Sequence, residues 1–549
     1  MEQDQKVSEV ESVVEDPYTG RWVALVAGQV SGVGYTGPEA HRMARLRRPR
    51  EKITLQWVEP AGGQPLRLPE LYRQLQPILQ QQDLPIYLVG GAVRDALLGR
   101  PIHDLDFVVP NKAIALAFRI GDELKAAAYP LDKERDTGRV VLPNQQLVID
   151  VARFRGADLP TDLQDRDFTI NAIALPAGAF STTSLVDPCQ GQADLAAGLI
   201  RQTHPKAIAD DPVRALRAIR LMMSLGFQLT DDTQQAVTMA APLLVQVSPE
   251  RVRDEFLKLL AMSRPGTALG LLAEMQLLSA LLPEIAALGH IAQSPPHHEA
   301  VLPHTITVLN WLAQLERVVL AGEPAENEAL ATVQAALANY RPGLQAHFER
   351  TVDGDLSGRV LLRLGALFHD VGKAQTQTIE PLTGRIRFLG HDQVGADLAS
   401  GRLATLRLSN EAIRYVEHIV AGHMRPLLLV EGGQLSRRAV YRYFRAIQSA
   451  GLDIGLLSLA DHLATYGGPA GKWLELVKVV ATLFEHYFEA HEETVAPVLL
   501  LNGHDLIQLF QLRPGPKVGR LLRELAEAQA AGEVGNREQA IGFITAQLE

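Results

Sequence analysis

The sequence predicts an α+β chain: a small mixed sheet within the first 200 residues, followed by a mostly α-helical remainder. Two observations lead there. Short β-rich apolar runs, Ile86–Val89, Leu105–Val109, Val140–Leu142 and Leu147–Phe154, all fall before residue 200. The rest is rich in Leu and Ala, and the whole chain is 47% hydrophobic but only 5% aromatic, a composition that suits packed helices. A length of 549 residues allows roughly three to four domains.

Bulk charge narrows the function classes. A formal net charge of −10 excludes a uniformly basic nucleic-acid coat, so any RNA site must be a local basic patch. One cysteine, Cys189, excludes an intrachain disulfide framework and suits a reducing compartment. The acidic, polar start Met1–Glu15 has no signal-peptide core and is expected to be disordered. No long uncharged apolar run occurs, so a soluble cytoplasmic protein with no membrane partner is the expectation.

Residues 1–65 read as this start plus a small accessory module. Two short strands flank a glycine turn between Tyr18 and Gly34, a basic helix follows over Pro38–Arg48, and a strand runs Ile53–Val58. Arg42, Arg45, Arg47, Arg48 and Arg50 suit either RNA phosphates or a solvated helix face. Pro60–Pro65 reads as a linker. The head spans residues 66–200. In it, Leu88–Val109 reads as strand, glycine turn, short helix, turn and second strand. Period two puts Asp104 and Asp106 on one face of the second strand. Gly90 and Gly91 let backbone N–H groups approach an anion, and the paired carboxylates can hold a divalent metal. Ile114–Ala128 reads as an amphipathic helix. Val140–Leu142 and Leu147–Phe154 form a hairpin across Pro143–Asn144. Asp150, a charge in an apolar strand, is either a third catalytic carboxylate or half of a structural ion pair.

The joined pattern Gly-Gly-x-Val-Arg-Asp, Leu-Leu-Gly and Asp-x-Asp resembles the signature of the class II nucleotidyltransferases, the tRNA CCA-adding enzymes and bacterial poly(A) polymerases. The resemblance implies that Asp104 and Asp106 are catalytic, with Mg2+ on both, and that Gly90, Gly91 and Arg94 cradle phosphates; Asp150, in its catalytic reading, would be a third carboxylate facing Asp104 and Asp106. Asp165–Ala172 resembles the family's Arg-Arg-Asp motif followed by Phe-Thr-Ile-Asn-Ala, so Arg166 and Asp167, with Asn171, would hold the ribose. Asp165 replaces the first arginine of that motif. The segment Gly156–Asp165 is short where members that complete CCA, or add only A, carry a longer loop, and this tilts the expected product toward CC. Residues 201–292 read as a helical neck and RNA-binding body. There Asp210-Asp211-x-x-Arg214 resembles the family's Glu-Asp-x-x-Arg motif, in which Asp211 and Arg214 would read the base. Arg217 and Arg220 extend that basic stripe, with Arg217 counted among the nucleotide-binding residues. Arg251 and Arg253 suit RNA contact or an internal clamp.

A second constellation fills residues 293–466: His304, His369, Asp370, His391, His423 and Asp461. Histidine and aspartate are ligands for a divalent transition metal or Mg2+. The run His369-Asp370-Val371-Gly372-Lys373, with a histidine before it and His and Asp after, resembles the HD phosphohydrolase domain. His297, His298 and His418 are expected to be solvated or structural. The helical tail, residues 467–549, carries Lys517 and Arg520 beside Pro514-Gly515-Pro516, placed either to grip RNA phosphate or to make a tight helix–helix turn. The expected function is a tRNA 3′-end nucleotidyltransferase. It would add C residues, CC or full CCA, from CTP and ATP to the tRNA acceptor end, with an HD phosphohydrolase activity attached. The rivals are a poly(A) polymerase and an HD phosphohydrolase with an RNA-binding, transferase-like head. Oligomeric state stays open.

Overall fold

A computed structural model describes residues 17–19, 21–34, 37–58, 62–142, 147–354, 356–433 and 435–548. The start Met1–Glu15, part of the Pro60–Pro65 linker and the hairpin turn at Pro143–Asn144 lie outside the described residues. The chain forms two compact units, residues 1–214 with 225–236, and residues 215–224 with 237–549.

The first unit begins with β1 (Arg21–Val26), β2 (Gln29–Gly34), α1 (Gly37–Arg47) and β3 (Thr54–Val58). The strands form an antiparallel sheet in the order β2-β1-β3, and Trp22, Ala24, Ala40 and Ala44 are buried between sheet and helix. Next come α2 (Glu70–Gln80), β4 (Tyr87–Val89), α3 (Gly91–Leu97), β5 (Asp104–Val109), α4 (Ala113–Leu124), β6 (Ala127–Asp132), β7 (Thr137–Leu142), β8 (Leu147–Arg153), α5 (Leu159–Gln164) and β9 (Ala174–Pro176). The sheet is six-stranded and mixed, in the order β6-β7-β8-β5-β4-β9. Its pair β5–β8 is parallel, while β4–β5, β4–β9, β6–β7 and β7–β8 are antiparallel. Alternation does the sorting: Leu105, Phe107 and Val109 of β5, with Ile149 and Val151 of β8, are essentially inaccessible, and this leaves Asp104 and Asp106 on the opposite face of β5.

One element differs from the sequence expectation. The helix expected over Ile114–Ala128 stops at Leu124, because Lys125 takes a left-handed conformation (φ 51°) at its C-cap and the chain re-enters as the sheet-edge strand β6. The short Ala-Ala-Tyr-Pro-Leu-Asp run of β6 carried too weak an alternation to be read as a strand.

The second unit is helical, with two short antiparallel strand pairs among the described residues, Thr351–Asp353 with Leu356–Ser357 and Gln377–Ile379 with Ile386–Phe388. The helices Val301–Glu316, Gly358–Phe368, His391–Thr405, Asn410–Gly422 and Gly451–Tyr466 surround the histidine cluster. Gly358–Phe368 is buried at every position but Arg359 and includes Arg363, which pairs with buried Glu316 and donates 2.7 Å bonds to the Leu260 and Met262 carbonyls. Among the described residues no helix is long and apolar enough to cross a membrane.

Candidate functional site

In the first unit, β4 ends at Val89, and Gly90, with a φ of 75° and a ψ of −139°, turns the chain into α3. A Cβ there would lie 3.3 Å from Asp106 Oδ2 and 3.5 Å from an Arg166 Nη, so glycine suits the turn both by conformation and by crowding. Parallel pairing of β5 and β8 sets Asp106 opposite Asp150, and Asp104 opposite Val148. The three carboxylates expected from sequence are therefore neighbours on adjacent strands. Burial first, then the charge of Asp150, pushes the Asp106 carboxyl up to about 6, while Arg166 opposes the rise. Asp150 is also ion-paired: Arg139, directly opposite it on β7, donates two 2.8 Å bonds to its two oxygens. Both readings of Asp150 thus have a physical basis.

The polar residues around this carboxylate row are linked. Arg94 donates through Nη1 to Asn171 Oδ1 at 2.7 Å, and its other nitrogens hold Asp95. Asn171 in turn donates to Asp167 Oδ1 at 3.1 Å. Arg166 is clamped by Asp162, one turn earlier, at 3.0 and 3.2 Å, and the Asp162 side chain is only 1% exposed. Sequence reading missed Asp162 and Arg139. The signals were there: Asp162 stands four residues before Arg166 at the end of a helix, and Arg139 faces Asp150 in the hairpin register. The Gly156–Asp165 segment is mostly α5, capped by Asp158, whose carboxylate accepts from Thr161 N at 3.0 Å.

Arg214 is buried in the same unit. Its Nη atoms donate to the carbonyls of Asp165 (2.8 Å), Arg166 and Ala207 (both 3.1 Å), and Asp211 is 3.8 Å from Nε, which has no hydrogen-bond partner. Arg217 belongs to the second unit, where it and Arg220 pair with buried Glu255 at 3.2 and 3.0 Å. Burial works to raise the Glu255 pKa, but Arg220, Arg217 and Lys258 together outweigh it and hold the carboxyl below its usual range. Arg253 donates to the Arg407 carbonyl at 2.8 Å, the clamp form of its two expected roles. Lys517 and Arg520 are exposed on the Pro516–Ala531 helix, where Arg520 lies 3.8 Å from Glu524.

The six HD-type residues converge in the second unit. His304 Nε2 is 3.0 Å from Asp461 Oδ1 and 3.8 Å from Asp370 Oδ2. His369 Nε2 is 3.2 Å from Asp370 Oδ2, and His391 and His423 Nε2 are 3.5 and 4.0 Å from Asp370 Oδ1. Asp370 is thus shared by two ligand groups, His304–His369 and His391–His423. Gly372 permits this approach: a Cβ on it would stand 2.1 Å from the His391 carbonyl oxygen. His369, His391 and His423 each place Nδ1 2.7–2.8 Å from the carbonyl of Ala366, Phe388 or Val420. A carbonyl only accepts, so Nδ1 carries the proton and each Nε2 offers a lone pair to the cluster. His391 and His423 then aim two lone pairs at each other across 3.2 Å, and buried His369 Nε2 has no hydrogen-bond partner. Such an arrangement is costly without a cation between the donors, and the N/O donor set fits a divalent metal. Burial and the neighbouring His369 push His423 down to about 4, which keeps it a neutral donor. Lys373 reaches Asp370 Oδ2 at 2.7 Å. His297 packs edge-on against His304, with ring centres 4.9 Å apart. The cluster opens into a cavity of about 750 Å³ bordered by Lys373, Arg385, Arg387 and Tyr466.

A strand–glycine-turn–helix beside paired carboxylates defines a nucleotidyltransferase head, and the chain carries an HD-type cluster in addition. Family comparison agrees: residues 86–201 match the Poly A polymerase head domain, 226–288 the RNA and SrmB-binding site of polymerase A, 349–465 the HD domain, and 496–544 tRNA nucleotidyltransferase domain 2. An A-adding tRNA nucleotidyltransferase of Deinococcus radiodurans is 35% identical over 83% of this chain and 94% of its own length. A CC-adding tRNA nucleotidyltransferase of Thermus thermophilus is 33% identical over 85% of this chain and 96% of its own. A CCA-adding enzyme solved with ATP shares the fold, with a TM-score of 0.56 at 20% identity over 87% of this chain and 95% of that one. The chain belongs to the tRNA nucleotidyltransferase family, a family of metal-dependent enzymes.

Proposed function

We propose that this enzyme adds C residues to the 3′ end of tRNA, with CC as its product, using CTP at the first-unit site. The observation that carries the reading is the row of Asp104, Asp106 and Asp150 on two adjacent strands, with Gly90 beside Asp106. The donor set, all carboxylate oxygens, fits Mg2+ on Asp104 and Asp106. Bound there, the metal supplies charge against the triphosphate and lowers the pKa of the attacking ribose hydroxyl. Arg94 and the glycine turn face phosphate. Arg166 and Asp167, fixed by Asp162 and Asn171, hold the ribose. Arg214 anchors the Asp165–Arg166 backbone to the start of the neck helix, which sets Asp211 to read the base. Relatives at nearly equal identity add A or CC, so likeness does not choose the product. The capped α5 in place of a long loop favours C addition.

The test supplies CTP and ATP separately and together to a tRNA lacking its 3′ end. Stopping after two C residues supports the proposal; completion to CCA, A addition alone, or long A runs on arbitrary RNA replaces it. Asp104→Ala should abolish incorporation with the fold intact.

A second activity rests on a separate observation, the three histidines held by backbone carbonyls around Asp370. His304, His369, Asp370, His391, His423 and Asp461 would hold a divalent transition metal or Mg2+ there, for phosphoester hydrolysis in the adjoining cavity.

A further inference from the structure

One line of side chains crosses the sheet of the first unit from the carboxylates to its edge. The register pairs Asp106 of β5 with Asp150 of β8, Asp150 with Arg139 of β7, and Arg139 with Tyr129 of the edge strand β6. Directly paired residues share a face, so the line spans about 14 Å over its strand spacings. Helix α4 packs on the other face, where a Cβ on Gly138 would stand 2.6 Å from Ala117 Cβ. On the line's own face, alternation leaves Tyr129 and Leu131 43% and 49% exposed, and the Arg139 side chain 34% exposed. Asp150 takes two 2.8 Å bonds from Arg139, and a guanidinium has five donors, so Arg139 can hold a further anion without releasing Asp150. The bond to Asp150 first, and the Tyr129 hydroxyl after it, raise the Arg139 pKa against the effect of burial, so the charge persists at any working pH.

In-line geometry says which ligand comes to this face. In nucleotidyl transfer the attacking 3′ oxygen bonds to the α-phosphorus as the bond to pyrophosphate breaks, and the attacking and leaving oxygens lie on opposite sides of that phosphorus. On the proposed function, the glycine turn and Arg94 hold the leaving end beside β4. The strand order β6-β7-β8-β5-β4 then sets β8, β7 and β6 on the side of attack. We propose that Arg139 and Tyr129 form the subsite for the attacking end of the RNA, a reading that rests on the proposed transfer to a tRNA 3′ end. Arg139 bonds the last phosphodiester of that strand while keeping Asp150 in place. The Tyr129 ring, with Leu131 exposed on the same strand, receives the terminal base. An unpaired end presents its base faces, and stacking on an aromatic ring accepts any base, as a site must if the end of the chain varies from one tRNA to another. The incoming triphosphate has no call on either residue, because its leaving end lies on the far side of Asp106.

Three measurements on the full chain test the subsite. A tRNA transcript lacking its 3′ end, with 4-thiouridine as its last residue, is irradiated with the protein in the absence of CTP, and the crosslink is located by mass spectrometry. It should fall within β6 or β7; a crosslink elsewhere overturns the proposal. In steady-state incorporation, Tyr129→Ala should raise KM for tRNA about tenfold and leave KM for CTP alone. A rise in KM for CTP would put the incoming base on Tyr129 and overturns it, as does an unchanged KM for tRNA. The phosphate contact is read by a cycle between Arg139→Gln and a tRNA whose last phosphodiester is a methylphosphonate. Each change alone should lower kcat/KM for tRNA about tenfold, and the two together little more than either. Losses that multiply to about a hundredfold would mean that Arg139 does not touch that phosphate. Any effect of Arg139→Gln on the fold acts equally on both substrates and cancels in the cycle. Failure of the wild-type chain to extend tRNA with CTP would instead strike the proposed function, because the crosslink reads the subsite without turnover.

Discussion

Asp106 shows at the scale of one residue what a buried carboxylate costs its fold. Its carboxyl titrates near 6 because it is desolvated and faces Asp150. In the unfolded chain an aspartate titrates near 3.9. The folded state therefore binds more protons between these values, and stability falls as pH rises from about 4 to about 6, then stays reduced. At about 1.4 kcal/mol per pH unit the cost is at most roughly 3 kcal/mol for the metal-free protein. Asp106→Asn removes the charge. In EDTA at pH 8 the variant should melt higher than the wild type, and the gap should close near pH 4; a gap independent of pH would refute the account. Asp162 has the opposite role. Fully buried, it holds Arg166 and accepts from the Arg155 backbone N–H at 3.0 Å. Asp162→Ala leaves the Arg166 charge without its partner and should destabilise the fold by about 3 kcal/mol in urea unfolding, with a raised KM for CTP.

Elements decide which residues meet, and they also decide what the sequence could disclose. Period two made Asp104 and Asp106 legible as neighbours, and the six HD-type residues were legible because their chemistry stands out in helices rich in Leu and Ala. What stayed hidden was pairing across elements. Asp150 could be expected to face the Asp104–Asp106 pair, but nothing in the local pattern says that β8 runs parallel beside β5 with Asp150 opposite Asp106. Strand β6 was lost inside an apparent helix because the stop at Lys125 is a left-handed C-cap on a residue with no preference for it. Arg214 was legible as a motif residue but not as an anchor, since its acceptors are backbone carbonyls on a distant turn. That anchor is testable. Lysine has no planar fork and cannot reach the Asp165, Arg166 and Ala207 carbonyls together. Arg214→Lys should therefore raise KM for CTP and relax base choice in single-nucleotide incorporation, while Arg217→Lys, whose partner is Glu255, should leave base choice alone.

For the whole molecule, the two units carry two candidate ligand sets of different chemistry. The first is all carboxylate and suits Mg2+; the second mixes imidazole and carboxylate and suits a transition ion as well. Neither set borrows a residue from the other unit, so the two activities should separate genetically. Loss of a residue that merely supports a ligand costs about 10- to 100-fold in metal affinity or activity, so loss of a ligand should cost about 100-fold or more. Asp104→Ala should end incorporation of CTP into tRNA and leave release of p-nitrophenol from bis-p-nitrophenyl phosphate at the wild-type level. Asp370→Ala, which removes the carboxylate common to both histidine groups, should do the reverse. Adding Mn2+ or Ni2+ after chelation should restore the hydrolysis of the Asp104 variant more than Mg2+ does, since imidazole donors prefer the softer ions. Both activities falling together in either variant would mean that the two metal sets are coupled, and the assignment of one reaction to each unit would fail.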